Sequence, residues 1–234
     1  MNIIELQRRL IDLGYDVGPS GGDGVYDDRT RQALCEALTN REAPRITDAD
    51  FEAAAAELGC SAAVIRGITS VESGGRGGFG PTAKPVILYE PHVFSRNTGH
   101  RYDSSHPAIS SPKWNRALYG KTQEDRYGQL FDAVALDVDA AFAAASYGLF
   151  QILGENWKVC GYPNAWSMAR CMAQSEADQL DGLIRFVKGN NLIRQLRACA
   201  ATPEACVPFV KAYNGASYAA NRYHIKLAKA IAAG

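Results

Sequence analysis

A mostly α-helical protein in two unequal units is what this sequence predicts, and three observations carry the prediction. Apolar residues recur at helical spacing in successive segments, and no stretch sustains the alternation of a strand. A short run at 41–45, containing Pro44, separates a small N-terminal unit from a larger remainder. The 234 residues are 47% hydrophobic and 21% charged, with formal net charge zero. That composition argues against disorder and supplies one sizeable core plus a small domain. Zero net charge gives no reason to expect nucleic acid as a partner.

The elements follow in order. Ile3, Ile4, Leu6, Leu10, Ile11 and Leu13 define an amphipathic helix that stops at Gly14. The glycine-rich stretch from Tyr15 to Tyr26 leaves no room for regular structure. A second helix opens at Asp28, its apolar face built from Ala33, Leu34, Ala37 and Leu38. A unit this small has a thin core and is marginal alone. Thr47, with Asp50 three residues later, reads as a capping box opening a helix through Leu58. Ser61 then caps a helix that Gly74 ends, with Val64, Ile65, Ile68 and Val71 on its buried face. Residues 73–113 are irregular, the kind of long loop that is usually functional, with room for a short hairpin near Val86-Ile87-Leu88-Tyr89. Helices resume over 125–145, 173–188, 191–200 and 216–233.

Glu72 is the residue with the most chemistry in it. It lies four positions beyond Ile68 and seven beyond Ile65, so it projects from the apolar stripe near the helix C-terminus. Desolvation and the negative end of the helix dipole both favour its protonated form. A carboxylic acid kept protonated near neutrality suits the protonation of a sugar leaving group. From the helix alone, a solvated glutamate in a frayed last turn is an equal alternative. The six cysteines, Cys35, Cys60, Cys160, Cys171, Cys199 and Cys206, show no CxxC spacing. Free buried thiols are expected, with Cys160–Cys171 and Cys199–Cys206 as the pairs that an oxidising compartment would join.

Leu6-Gln7 with Leu10, Leu13-Gly14-Tyr15, Asp23-Gly24-Val25-Tyr26, and Thr30 with Ala33 resemble the peptidoglycan-binding domain of cell-wall hydrolases. The resemblance implies a three-helix wall-binding domain at 1–40, followed by the linker at 41–45, with Tyr15, Asp23, Tyr26 and Thr30 as wall-binding residues. Asp27 stands where that family usually has glycine.

Three further segments join Glu72. Ser146-Tyr147-Gly148-Leu149-Phe150-Gln151 resembles the Ser-x-Gly-x-x-Gln signature of lysozyme-like glycosidases, and Ala212-Tyr213-Asn214-Gly215 resembles their Tyr-Asn-Gly motif. Lys84 to Phe94 holds a second acid, Glu90, ahead of His92. In this order they resemble the N-acetylmuramidase domain of modular phage endolysins, over 46–234. The resemblance implies a lysozyme-like α fold and hydrolysis of the β-1,4 bond between N-acetylmuramic acid and N-acetylglucosamine in bacterial peptidoglycan. It makes Glu72 the general acid and Glu90 the second carboxylate, with Asp103 as a weaker substitute. Tyr147, Gln151, Tyr213 and Asn214 become substrate-binding or acid-orienting residues. For Glu90, an ion pair with Arg96 or Arg101 remains an equal alternative.

No metal or other cofactor is expected, since His92, His100 and His106 are widely spaced and no HExxH occurs. The C-terminal helix sets Arg222, Lys226 and Lys229 around Ile225, Leu227 and Ile231, and core packing is expected of it rather than membrane contact. The N-terminus lacks a signal-peptide core. A monomer made in the host cytoplasm is therefore expected, reaching the periplasmic wall after a separate membrane-permeabilising protein has acted. Two alternatives stay open: a lytic transglycosylase forming 1,6-anhydro ends, and a non-catalytic wall-binding or virion structural protein.

Overall fold

The computed structural model describes the backbone of residues 1–234 and every side chain except those of Ala216 and Ser217. Its helices are α1 (Ile3–Asp12), α2 (Asp28–Ala37), α3 (Asp48–Leu58), α4 (Ala62–Ser73), α5 (Pro91–Asn97), α6 (Gln123–Val134), α7 (Val138–Ala143), α8 (Ala165–Met172), α9 (Glu176–Gly189), α10 (Ile193–Arg197), α11 (Pro203–Asn214) and α12 (Tyr223–Ala232). Three short strands, β1 (Ile87–Tyr89), β2 (Ala145–Tyr147) and β3 (Ile152–Leu153), form one antiparallel sheet in that order. The fold is mostly α, as the apolar spacing predicts.

Capping sets where the helices begin. Asn2 and Glu5 form a capping box on α1, Thr47 and Asp50 one on α3, and Thr122 and Asp125 one on α6. Asp27 is the N-cap of α2, accepting from the Thr30 N–H, so the residue that replaces the expected glycine starts the helix. Asp137 caps α7, which divides the segment expected as one helix over 125–145. Gly59 and Gly74 end α3 and α4 in the left-handed conformation. On α1 burial goes to Leu6, Gln7 and Leu10, whereas Ile11 and Leu13, read as apolar-face residues, stand exposed.

The N-terminal unit contains two helices where the resemblance implies three. The next helix, α3, packs on α4 and α9 instead. Gln7 organises the unit: its amide donates to Asp23 Oδ1 at 3.0 Å, the Val25 carbonyl at 3.0 Å and Thr30 Oγ1 at 3.1 Å, and its oxygen accepts from the Gly24 N–H. This unit does not hang from a tether. Arg31 bonds Asp132 at 2.7 Å and lies over the Phe131 ring, and Asn40 bonds the carbonyls of Ala83 and Gln174. Residues 41–45 are held too, because the Glu176 N–H donates to Pro44 O and its carboxylate accepts from the Ile46 N–H. One apolar cluster runs from Leu6 through to Ala228.

The sheet is not a local hairpin at Val86. β1 pairs with the distant β2, Ile87 opposite Tyr147 and Tyr89 opposite Ala145, and the hairpin is β2–β3, turning through Gly148–Gln151. Gln179, from α9, braces that turn: its oxygen accepts from the Leu149 N–H and its amide donates to Met172 O. A Cβ on Gly148, whose φ is +70°, would come within 2.4 Å of the Gln179 side chain. Gly148→Ala should therefore lose about 2–4 kcal/mol from overpacking and backbone strain. Gly128→Ala, in α6 where a Cβ meets nothing within 4 Å, should gain about 0.5–1 kcal/mol. Urea unfolding of the two variants checks both signs.

Candidate active site

Glu72 sits in the last turn of α4, where the helix meets α12 and the end of α11. The α4–α12 contact is close because Gly67 has no side chain: a Cβ there would stand 3.1 Å from Leu227 Cδ1 and 3.2 Å from Ile231 Cγ1. Thus the apolar face of the C-terminal helix is spent on α4. Val64, Ile65 and Ile68 are buried as the stripe predicts, with Val71 half-buried.

Tyr223, at the first position of α12, donates its hydroxyl to Glu72 Oε1 at 2.8 Å. The Asn214 side chain lies beside the same carboxyl and favours its charged form. Burial raises the Glu72 pKa to about 6, while Tyr223 and Asn214 oppose the shift without cancelling it. Burial, and then the charge of Glu72, push both Tyr213 and Tyr223 far above the ordinary phenol value, so each stays a donor. Tyr213 donates to Phe150 O at 2.8 Å and stacks on Phe209, tying the acid's surroundings to the β2–β3 turn.

The other expected residues are placed as follows. Gln151 adopts a left-handed backbone with φ +47°; its amide donates to Val86 O and Gly148 O, and its oxygen accepts from Ser146 Oγ. Both N–H donors of that amide are used, one within the hairpin and one on the residue before β1. Tyr147 is fully buried and donates to Phe142 O, so no ring face is open to a sugar. Glu90 follows β1, where its N–H donates to Ala144 O and its carboxylate accepts from Tyr119; His92 Nδ1 lies 3.4 Å away. Neither arginine suggested as its partner pairs with it, since Arg96 bonds Glu155 and Arg101 bonds Asp137. Asp103 belongs to a different cluster, with Ser110 and His100. Burial would raise its pKa, but bonds from Ser110, Ser95 and His100 hold it below the usual value.

Among the wall-motif residues, Thr30 is fully buried and Asp23 is exposed, with the Val25 N–H and then Gln7 holding its pKa low. Tyr15 and Tyr26 are half-buried. The Tyr26 hydroxyl is enclosed without a hydrogen-bond partner among the described residues, beside a 570 Å³ cavity lined by both units. The six cysteines are free thiols. Among the described residues no three His, Cys, Asp or Glu side chains converge as a metal site would require.

Tyr223 is the residue that sequence reading missed. Its helix reads as basic and amphipathic, and only the closure of α12 on α4 brings the phenol to Glu72. A tyrosine on the apolar side of that helix was the available signal.

The family model for N-acetylmuramidase matches residues 61–233. Among solved structures, the crystal structure of Burkholderia AP3 phage endolysin is similar, with 31% sequence identity and a TM-score of 0.72. That match covers 99% of this chain and 93% of the other. A comparison with curated proteins gives no match.

The raised Glu72 pKa has a signature in stability. The folded protein binds this proton more tightly than the unfolded chain, so the stabilisation is full below pH 4.5 and is lost as pH rises through about 6. The stability of Glu72→Gln relative to wild type should therefore rise by about 1–2 kcal/mol between pH 4 and pH 7. Urea titrations across that range check it, and a flat difference would remove the buried-acid argument.

Proposed function

The chain belongs to the N-acetylmuramidase family, and on that premise we propose that Glu72 is the general acid of its peptidoglycan hydrolysis. The carrying observation is a carboxyl raised to about 6 by burial and held by Tyr223, with Asn214 beside it. As an enzyme of this family it acts on peptidoglycan in the cell wall, and its resemblance to a phage endolysin supports a role in host lysis.

In the proposed reaction Glu72 gives its proton to the glycosidic oxygen as the bond to the muramic acid ring breaks. Positive charge then grows on the ring, and Glu90 is the second carboxylate, which stabilises that charge or takes the proton of the water whose oxygen bonds the anomeric carbon. Tyr223 donates to Glu72 and Tyr119 to Glu90, so a phenol holds each carboxylate in place. Tyr213 and Asn214 orient the acid. Gln151 and Tyr147 serve by position: they stiffen the hairpin that receives the Tyr213 hydroxyl at Phe150.

Residues 1–40 are proposed as the wall-binding unit, with Tyr15, Asp23, Tyr26 and Thr30 shaping its loop. Thr30, being buried, acts there through Gln7, which also bonds the exposed Asp23. Three of the six large apolar side chains exposed among the described residues, Ile11, Leu13 and Val25, belong to this unit. No single helix among the described residues is long and apolar enough to cross a membrane. The protein is proposed to act as a monomer, with a separate permeabilising protein opening its route to the wall.

Mass spectrometry of fragments released from purified peptidoglycan tests the chemistry. Wild type should release reducing muramic acid ends, with kcat declining as pH rises through about 6, and Glu72→Gln should release none while remaining folded. Anhydro-muramic ends would reassign the reaction to a transglycosylase. Replacing Ile11, Leu13 and Val25 by serine should cost more activity on whole wall than on short soluble fragments. Equal losses on both would remove the wall-binding assignment.

A further inference from the structure

The sheet has a buried face and an open one. From Pro85 to Glu90 burial alternates: Pro85, Ile87 and Tyr89 point inward, while Val86, Leu88 and Glu90 are half-exposed. Leu88 lies opposite Ser146, and Ser146 opposite Leu153, so these side chains share one face, on which Ser146 is covered and Leu88 and Leu153 are half-exposed. The loop before α6 folds over one end of that face and borders an open 370 Å³ cleft lined by Leu88, Glu90, Trp114, Arg116, Tyr119 and Arg126.

Trp114 is out of keeping with its surroundings. It is 63% exposed, more than the other exposed large apolar side chains described, while Trp166 is buried and Trp157 half-buried. The core does not need it. Yet its segment is well held: Asn115 caps the turn Arg116–Leu118, Gln129 bonds Leu118 O and the Gly120 N–H, and Arg126 Nε donates to Gly120 O. The indole also lies 6.2 Å from the ring of Tyr119, whose hydroxyl bonds Glu90. A rigidly presented aromatic beside a carboxylate matches a ligand with one apolar face and a hydroxyl edge. A pyranose ring has that form.

The charges add a second criterion. Arg126 is committed to carbonyl oxygens of Gly120 and Ile87, whereas Arg116 is exposed and makes no ion pair among the described residues. A cation beside the platform suits an anionic substituent on the sugar chain.

We propose that Trp114 is the platform of a glycan subsite, on which a pyranose ring of the substrate strand stacks with a hydroxyl toward Glu90, while Arg116 faces the carboxylates of the attached peptide. The proposal rests on the muramidase reading and adds a specificity element to it. Kinetics on soluble uncrosslinked glycan strands, with and without their peptides, test it. Trp114→Ala should raise KM about tenfold on both strands and leave kcat within about twofold, and Trp114→Phe should recover most of the loss. Arg116→Gln should raise KM more on peptide-bearing strands than on stripped ones. An unchanged KM for Trp114→Ala, or a loss confined to kcat, overturns the subsite. Binding can be read apart from turnover: stripped strands should shift indole emission in wild type and much less in Trp114→Phe. An emission shift without any cleavage would keep the subsite and remove the muramidase mechanism. No shift in wild type would remove the subsite whatever the turnover.

Discussion

The closure of α12 on α4 is the constraint on which the site depends. It is possible because Gly67 presents no side chain to Leu227 and Ile231. That approach both removes water from Glu72 and delivers the Tyr223 hydroxyl to it, so desolvation and its partial compensation come from one packing event. The result is a carboxyl poised near pH 6 rather than one neutralised outright. From α11, Tyr213 packs its ring 6.3 Å from that of Tyr223 and Asn214 lies beside the carboxyl, so the C-terminal part of the chain completes a group that the first third supplies.

Much of this was legible in the sequence where the signal is local. The caps at Thr47 and Gly74 and the apolar stripe that carries Glu72 all rest on spacing within a dozen residues, and the structure has them in place. What could not be read is long-range or disguised. Three-residue strands are too short to show a period, and the partner of β1 lies far along the chain. The helix α11 fills the gap between the segments expected as helices at 191–200 and 216–233, and Pro203 and Pro208 conceal it, although Pro203 occupies a first-turn position where its missing N–H costs nothing. Pro208 is tolerated further in, its helix secured by Phe209 and Val210 in the core.

The motif residues and the proposed acid differ in how they use their polar atoms. Gln7, Thr30, Gln151 and Tyr147 are recognisable signatures, and each spends its polar atoms on holding a loop or turn. A pattern survives in a sequence reading when geometry requires it, whether or not a ligand ever touches it. Glu72 differs because its polar atoms are only partly used, in a place where the chain has made charge costly.

The two bonds that Glu176 makes to residues 44 and 46 have a consequence for movement over a polymer. A hydrolase whose anchor swings on a free tether can cut repeatedly within a circle around one attachment point. With residues 1–40 as the proposed anchor, anchor and cutting edge travel as one body, so each attachment fixes the offset and heading of the next cut. Progress across the mesh then requires the whole molecule to let go and land again, and tighter adhesion would slow the work rather than speed it.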